Sequence, residues 1–454
     1  MSHYVRAALT GWGNYNKADV CLYRPEKERE LLELLASKEQ PNYISRGLGR
    51  SYGDIATNAN GGVILHTRLN RFLSFDATSG IVECESGVTY DDLIRHLLSR
   101  GFFLPVVPGT KFVTIGGAIA NDVHGKNHHQ VGSIGCHIID LQLLLASGET
   151  VHCSRESNAG LFWATVGGLG LTGVILRARI KLAPVESAYI STNCKRYENI
   201  DRVLAEMSAA DKDFQYSVAW IDCLQTERSL GRSVLMRGNH LPAAALKQTV
   251  TDPFAIKNRH RFTLPAILPS TSLTTLTAQL FNQLYFRAKR EREHLIMDYD
   301  SFLFPLDRIR NWNSFYGKHG FLQYQIVFPM ATSHEGLVAV LKKLSGAKQA
   351  SFLAVLKRCG NQGDGLLSFP QDGFSLALDM PARNTELLPL LNELDEIVLR
   401  HRGRVYLAKD ARLSRATFEQ MYPNTKAFKE IKRQVDPTAL FSSSLSRRLG
   451  LTEV

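Results

Sequence analysis

A chain of 454 residues with 44% hydrophobic content has the makeup of a soluble globular protein, with length for two or more domains. No apolar run reaches the roughly 18 residues that a membrane-spanning helix needs, and the opening MSHYVRAALTGWGNYNK lacks the apolar core of a signal peptide. Seven cysteines, odd in number and without a CxxC pair, speak against a disulfide framework or a cysteine zinc site and suit a reducing compartment, while the formal charge of +11 suits an anionic partner or simply a basic surface.

In chain order, Tyr23 to Ser37 predicts a helix opened by Pro25, with Leu31, Leu32, Leu34 and Leu35 on one apolar face. A strand NYISRG leads into GLGRSYGD, and residues 63–88 alternate like paired strands. Thr89 and Asp92 form a capping box ahead of YDDLIRHLLSRG. Val113 to Gly135, VTIGGAIANDVHGKNHHQVGSIG, is dense in glycine and histidine. Glycine lets a backbone approach a ligand closely and present its N–H groups, so this stretch reads as a loop around a large phosphate-bearing cofactor. Strand, tight turn and strand follow in IIDLQLLLASGETVHC.

Gly168, Gly170 and Gly173 spell GxGxxG, but the following VILRARIKL alternates as a strand does. A dinucleotide fingerprint needs a helix there, so that reading is rejected. Beyond Pro184 the segments at 216–223, 321–329, 351–359 and 374–381 read as strands, with helices at about 334–345 and 386–402. The whole reads as α+β, with a mostly antiparallel sheet in the second half. Residues 253–293 read as irregular, and the segment from residue 403 onward as basic and helical.

Three stretches, SRGLGRSYGD, PGT…TIGGAIANDVHGKNHH..GSIG and LFWATVGGLGLTGVI, resemble the cofactor half of the vanillyl-alcohol-oxidase type of FAD-binding flavoenzymes. HGFLQYQ, GRVYLAKDAR, FEQMYP and VDPTALF extend the resemblance over nearly the whole chain, toward the branch that acts on a polyprenyl-phosphoryl pentose. The resemblance implies a two-lobed fold of the PCMH type. Residues 1–186, completed by 404–454, would bind FAD, and 187–403 would bind substrate. The implied reaction oxidises the ribose 2′-hydroxyl to a ketone. A separate short-chain reductase would complete the change to the arabinose form. The cysteine usage suits the cytoplasm, no nucleic-acid module is present, and peripheral association with the inner face of the plasma membrane stays open.

Carried onto this sequence, the cofactor site comprises Ser45, Arg46, Gly47, Leu48, Gly49, Arg50, Ser51, Tyr52, Gly53, Asp54 and Ile55. Gly109, Thr114, Ile115, Gly116, Gly117, Asn121, Asp122, Val123, His124, Ile175 and Tyr406 would complete it. Relatives that bond FAD covalently use a histidine where this chain has Arg50, so dissociable FAD is expected. The implied catalytic residues are Lys409, His124 and Tyr52. Lys409 would be a base if its pKa is depressed, or a cation that stabilises charge on the reduced flavin.

Gln323 and Gln325 share one strand face and suit sugar hydroxyls. Lys357, Lys126, Ser375 and Trp220 join them as substrate candidates, with Lys357 either a phosphate ligand or the cation beside Lys409, and Trp220 either a stacking platform or core. The spacing of His124, His128 and His129 is compatible with a metal, but no cysteine or carboxylate cluster completes a ligand set, and no metal is expected. Ala377 and Ser375 stand where some relatives carry a cysteine and an asparagine. Residues 253–293 read either as a lid that meets a lipid tail and an anionic membrane, or as a surface loop. Two other functions remain open: a flavin oxidase of a soluble sugar, alditol or aldonolactone, and a non-catalytic lipid-carrier-binding protein.

Overall fold

The computed structural model describes residues 4–246, 250–256, 262–263, 274–349, 351, 353–383 and 385–453. Two sheets build the first part. One has four strands in the order Val5–Leu9, Ala18–Tyr23, Gly62–Leu65, Tyr43–Arg46, its last three strands parallel. The other is antiparallel, in the order Phe72–Asp76, Ile81–Glu85, Val174–Lys181, Ile138–Leu144, Thr150–Ser154. The capping box forms as expected: Thr89 Oγ1 accepts from Asp92 N, and Asp92 Oδ2 accepts from Thr89 N.

The GxGxxG stretch follows the helix Ala159–Thr165 and precedes the strand Val174–Lys181, the reverse of a dinucleotide-binding order.

An eight-stranded antiparallel sheet dominates the second part. Its order is Arg292–Asp298, Tyr189–Tyr197, Ser233–His240, Tyr216–Ile221, Ala354–Cys359, Gly373–Pro381, Phe321–Pro329, Arg404–Val405. Alternation assigns its two faces. Tyr324, Ile326 and Phe328 pack in one core with the helices Met330–Gly346 and Leu387–Arg400, and Tyr324 donates to Asp395 Oδ1 at 2.9 Å. The intervening Gln323 and Gln325 look the other way, into a cleft.

Residues 440–448 then lie against the first sheet. Tyr43 N donates to Leu440 O and Ser442 N to Tyr43 O. Arg448 bridges the buried carboxylates Asp54 and Asp410, at 2.8 and 2.9 Å.

Four expectations need correction. The stretch from Val113 to Gly135 is not one loop: it holds the short helices Ile115–Ala120 and His128–Val131. Pro25 opens no helix; Tyr23 is held in the first sheet, and the helix runs Glu28–Ser37. Leu32 is exposed, because a step of about 100° turns it off the face made by Leu31, Leu34 and Leu35. Residues 253–293 are not simply irregular: Thr275–Ala288 is a helix with a Thr274/Thr277 capping box, and an edge strand begins at Arg292. The parts of the expected lid at 257–261 and 264–273 lie outside the described residues.

Removing the cation between two buried carboxylates should be costly. Arg448→Ala is expected to lose about 3 kcal/mol of stability, read as a lower urea midpoint, with Arg448→Lys recovering only part of it. An unchanged midpoint for Arg448→Ala would show that the bridge carries no stability.

Candidate active site

Between the two parts lies a cleft with a cavity volume of about 300 Å³. Its floor follows from strand register. Gln323 pairs with Asp379, Gln325 with Ala377, and Ala377 with Val355, so successive rows of one sheet face the opening. Lys357 continues the same face, and Tyr406 and Lys409 come from the turn that follows the last strand.

The opposite wall is backbone-rich. Ser45 through Tyr52 and Ile55 form one rim. Gly109, Thr114, Gly116 and Gly117 form a second, and Asn121, Val123, His124 and Ile175 complete the wall. Gly47 is required because a Cβ there would lie 2.1 Å from Thr114 Oγ1, where the two loops touch. Gly49 has φ +65°, a conformation that favours glycine.

The N–H groups from Gly47 to Ser51 donate to no acceptor among the described residues. Consecutive free N–H groups lining a cleft are an anion cradle, which fits the diphosphate of FAD without a charged partner. Asn121 Oδ1 is buried with no partner among the described residues, which leaves a further acceptor in the same wall. The residues present therefore fit the cofactor.

The catalytic candidates converge. Lys409 Nζ sits 3.8 Å from the centroid of the Tyr52 ring, a cation–π contact. Burial drives the Lys409 ammonium down to about 7; Asp379 opposes this and Lys357 adds to it. Burial likewise raises the Asp379 carboxyl to about 7 against the pull of Gln323 and Lys409. Gln323 Nε2 donates to Asp379 Oδ1. Lys357 is also lowered by burial, and neither its Nζ nor that of Lys409 has a hydrogen-bond partner among the described residues.

Gln325 Nε2 donates to His124 Nε2 at 2.8 Å and to Ser375 Oγ at 3.3 Å. With that assignment the imidazole proton lies on Nδ1, which has no partner among the described residues. Burial, then Lys357, holds His124 well below its ordinary pKa, so it is neutral. Burial also pushes the Tyr52 hydroxyl well above 10, which makes it a poor base; its ring is what Lys409 meets. Tyr406 donates to Asn121 O at 3.0 Å and stacks on Phe369, so it ties floor to wall.

Several expected residues do not line the cleft. Gly53 packs on the Asp410 backbone, and Asp54 is spent on Arg448. Ile115 is core, its N–H bonded to Val88 O. Asp122 turns inward and accepts from Ser133, Ser368 and Gly135 N. Ser375 acts through Gln325. Lys126 is half-buried off the cleft lining, its Nζ donating to Leu303 O. Trp220 packs on Tyr285, ring centroids 4.8 Å apart.

The histidines of the expected metal spacing have separate partners. His128 Nδ1 accepts from Gly360 N, and His129 Nε2 meets Asp211 O and Phe214 O. Among the described residues no three metal-ligating side chains are grouped.

Among the lining residues that escaped the sequence are Asp379 and His66. Asp379 had a signal, being a lone carboxylate two residues from Ala377 on the same strand face. His66 had none: its ring bridges Ser86 Oγ at 2.9 Å and Ser45 Oγ at 3.1 Å, contacts between distant segments.

Residues 20–154 match the FAD binding domain family, and residues 318–449 match the D-arabinono-1,4-lactone oxidase family. The chain is 39% identical to the decaprenylphosphoryl-β-D-ribose oxidase of Mycolicibacterium smegmatis, over 98% of this chain and 97% of that protein. It is 35% identical to an uncharacterised Streptomyces coelicolor protein from the mprA 5′ region, over 80% of this chain and all of that one. Identity to the mouse L-gulonolactone oxidase is 26%, over 97% of this chain and 98% of that enzyme.

Ala377 faces the cleft, so no thiol is offered at that point of the floor. Agents that capture a thiol there should leave position 377 unmodified in the wild type and form an adduct with Ala377→Cys, as read by peptide mass mapping. An Ala377→Cys protein that stays unmodified would show that this row of the floor is closed to ligands.

Proposed function

We propose, for a chain that belongs to the FAD-dependent oxidase family of decaprenylphosphoryl-β-D-ribose oxidase, that the substrate is a polyprenyl-phosphoryl ribose whose 2′-hydroxyl becomes a ketone. The observation that carries this reading is the pairing of a hydrogen-bonding floor, Gln323 and Gln325, with two half-buried ammonium groups, Lys357 and Lys409, neither of them in an ion pair among the described residues. A phosphoryl pentose offers hydroxyls to the first and an anion to Lys357. A neutral lactone leaves the charge of Lys357 unanswered.

When bound, FAD supplies the acceptor for the hydrogen on the sugar carbon. Lys409 Nζ takes the hydroxyl proton, since burial makes its neutral amine accessible near pH 7. Asp379 beside it receives or returns that proton. Neutral His124 and Gln325 hold the hydroxyl in place, and the Tyr52 ring steadies the ammonium once it forms. The ketone product calls for a separate short-chain reductase to deliver hydride and give the arabinose form.

On the same reading residues 1–186 with 404–454 form the cofactor lobe and 187–403 the substrate lobe, at work in the cytoplasm against the inner face of the plasma membrane. FAD is held without a covalent bond: the cradle carries Arg50, and both ring nitrogens of His66 are already engaged. The D-arabinono-1,4-lactone oxidase match favours a second reading, oxidation of a soluble sugar or aldonolactone.

Anaerobic bleaching of the flavin decides between them. Polyprenyl-phosphoryl ribose alone should bleach it; bleaching by free sugars or lactones alone would establish the second reading, and bleaching by none would point to a non-catalytic protein. With Lys409 as base, kcat should rise as pH rises through about 7. Lys409→Met should lower it by roughly 10²-fold or more; a kcat that instead falls over this range would make Lys409 a required cation. Acid precipitation should leave the yellow colour in the supernatant, and a yellow pellet would mean a covalent link.

A further inference from the structure

The helix Thr275–Ala288 has two unlike faces. Its inner face is anchored: Ala278 is fully buried, Asn282 Nδ2 donates to Asp222 Oδ1 at 2.7 Å, and Tyr285 packs on Trp220. Its outer face carries Leu276, Leu280 and Leu284 at successive turns, 73%, 59% and 59% exposed, with Phe281 beside them at 44%. Among the described residues the other helices that expose a large apolar side chain, Glu28–Ser37, Met330–Gly346 and Leu387–Arg400, each expose one. A run at i, i+4 and i+8 is a continuous apolar stripe, the pattern of a helix lying in a lipid interface.

Two further observations say what covers it. The first is charge. Directly after the stripe come exposed Arg287, Arg290 and Arg292, which outnumber the interleaved Glu291 and Glu293, in a chain of formal charge +11. Apolar residues flanked by cations complement an anionic bilayer, where acyl chains lie beneath negative headgroups. The second is position. Trp220 shares a row of the sheet with Val355, Ala377 and Gln325, the last three of which line the cleft. The helix therefore stands over the same sheet face as the cleft floor, one strand beyond it.

We propose that the outer face of Thr275–Ala288 docks the protein on an anionic lipid bilayer and sets the cleft at the membrane surface. The proposal rests for its purpose on the lipid-linked substrate read above, and for its geometry on the helix itself. No helix among the described residues is long and apolar enough to cross a membrane, so the contact is with one surface.

The test uses the flavin-loaded full chain and vesicles of phosphatidylglycerol or of phosphatidylcholine. Wild type should co-sediment with the first and far less with the second. Combined Leu276→Gln, Leu280→Gln and Leu284→Gln should weaken binding by roughly tenfold or more, while Arg287→Gln with Arg290→Gln should remove most of the preference for anionic vesicles. The leucine variant should keep its flavin spectrum and its oxidation of a short, water-soluble prenyl-phosphoryl ribose.

Wild type that ignores both vesicles, or a leucine variant that binds as well as wild type, overturns the proposal. So does a concentration-dependent dimer that the leucine variant loses, because the stripe would then belong to a second copy. Vesicle binding through the stripe, in an enzyme whose flavin no prenyl-phosphoryl sugar bleaches, would support the docking face and sink the substrate reading.

Discussion

Desolvation of charge is the constraint on which this site is built. Lys357 on the sheet and Lys409 on the turn after its last strand lose water together in one cleft, with Asp379 as the carboxylate beside Lys409. An isolated ion in such a place is costly, so each group moves toward its neutral form. Burial lowers the Lys409 ammonium and raises the Asp379 carboxyl, so their proton affinities move toward each other, which suits a proton that must move and return. His124 is neutral for the same cause, and so serves as a hydrogen-bonding group rather than a third cation.

Strand alternation delivers those groups. The sheet spends one face on the helices Met330–Gly346 and Leu387–Arg400 and reserves the other for polar work. Residues one step apart, such as Tyr324 and Gln325, thus have unrelated tasks. A slip of one residue in Phe321–Pro329 would bury both glutamines among leucines and turn Tyr324 into the cleft. The dense apolar packing on the helix side is what holds the polar side in register.

Local chemistry was legible in the sequence; long-range geometry was less so. The Thr89 cap and the strands follow from neighbours along the chain and formed, whereas the glycine stretch expected as a loop put Gly116 and Gly117 into a short helix. Lys409, His124 and the Gln323–Gln325 face were legible because motif and alternation both mark them. Trp220, Lys126 and Asp122 misled because residue type says nothing about which side of a wall a side chain ends on. Residues 275–288 hid their helix: the capping threonines are common residues, and the apolar positions on both faces blur the usual single-stripe period. Asp379 was readable but unread, since a carboxylate in an apolar strand is a strong anomaly.

The bridge from Arg448 to Asp54 joins residues 394 positions apart. It fastens the back of the cofactor cradle with a segment that the ribosome makes 394 residues later. The cradle's own strand and loop emerge early, but their clasp does not exist during most of translation. Flavin capture is thereby tied to the synthesis of residues 440–448, and a product truncated ahead of the clasp would be left with an unfastened nucleotide pocket.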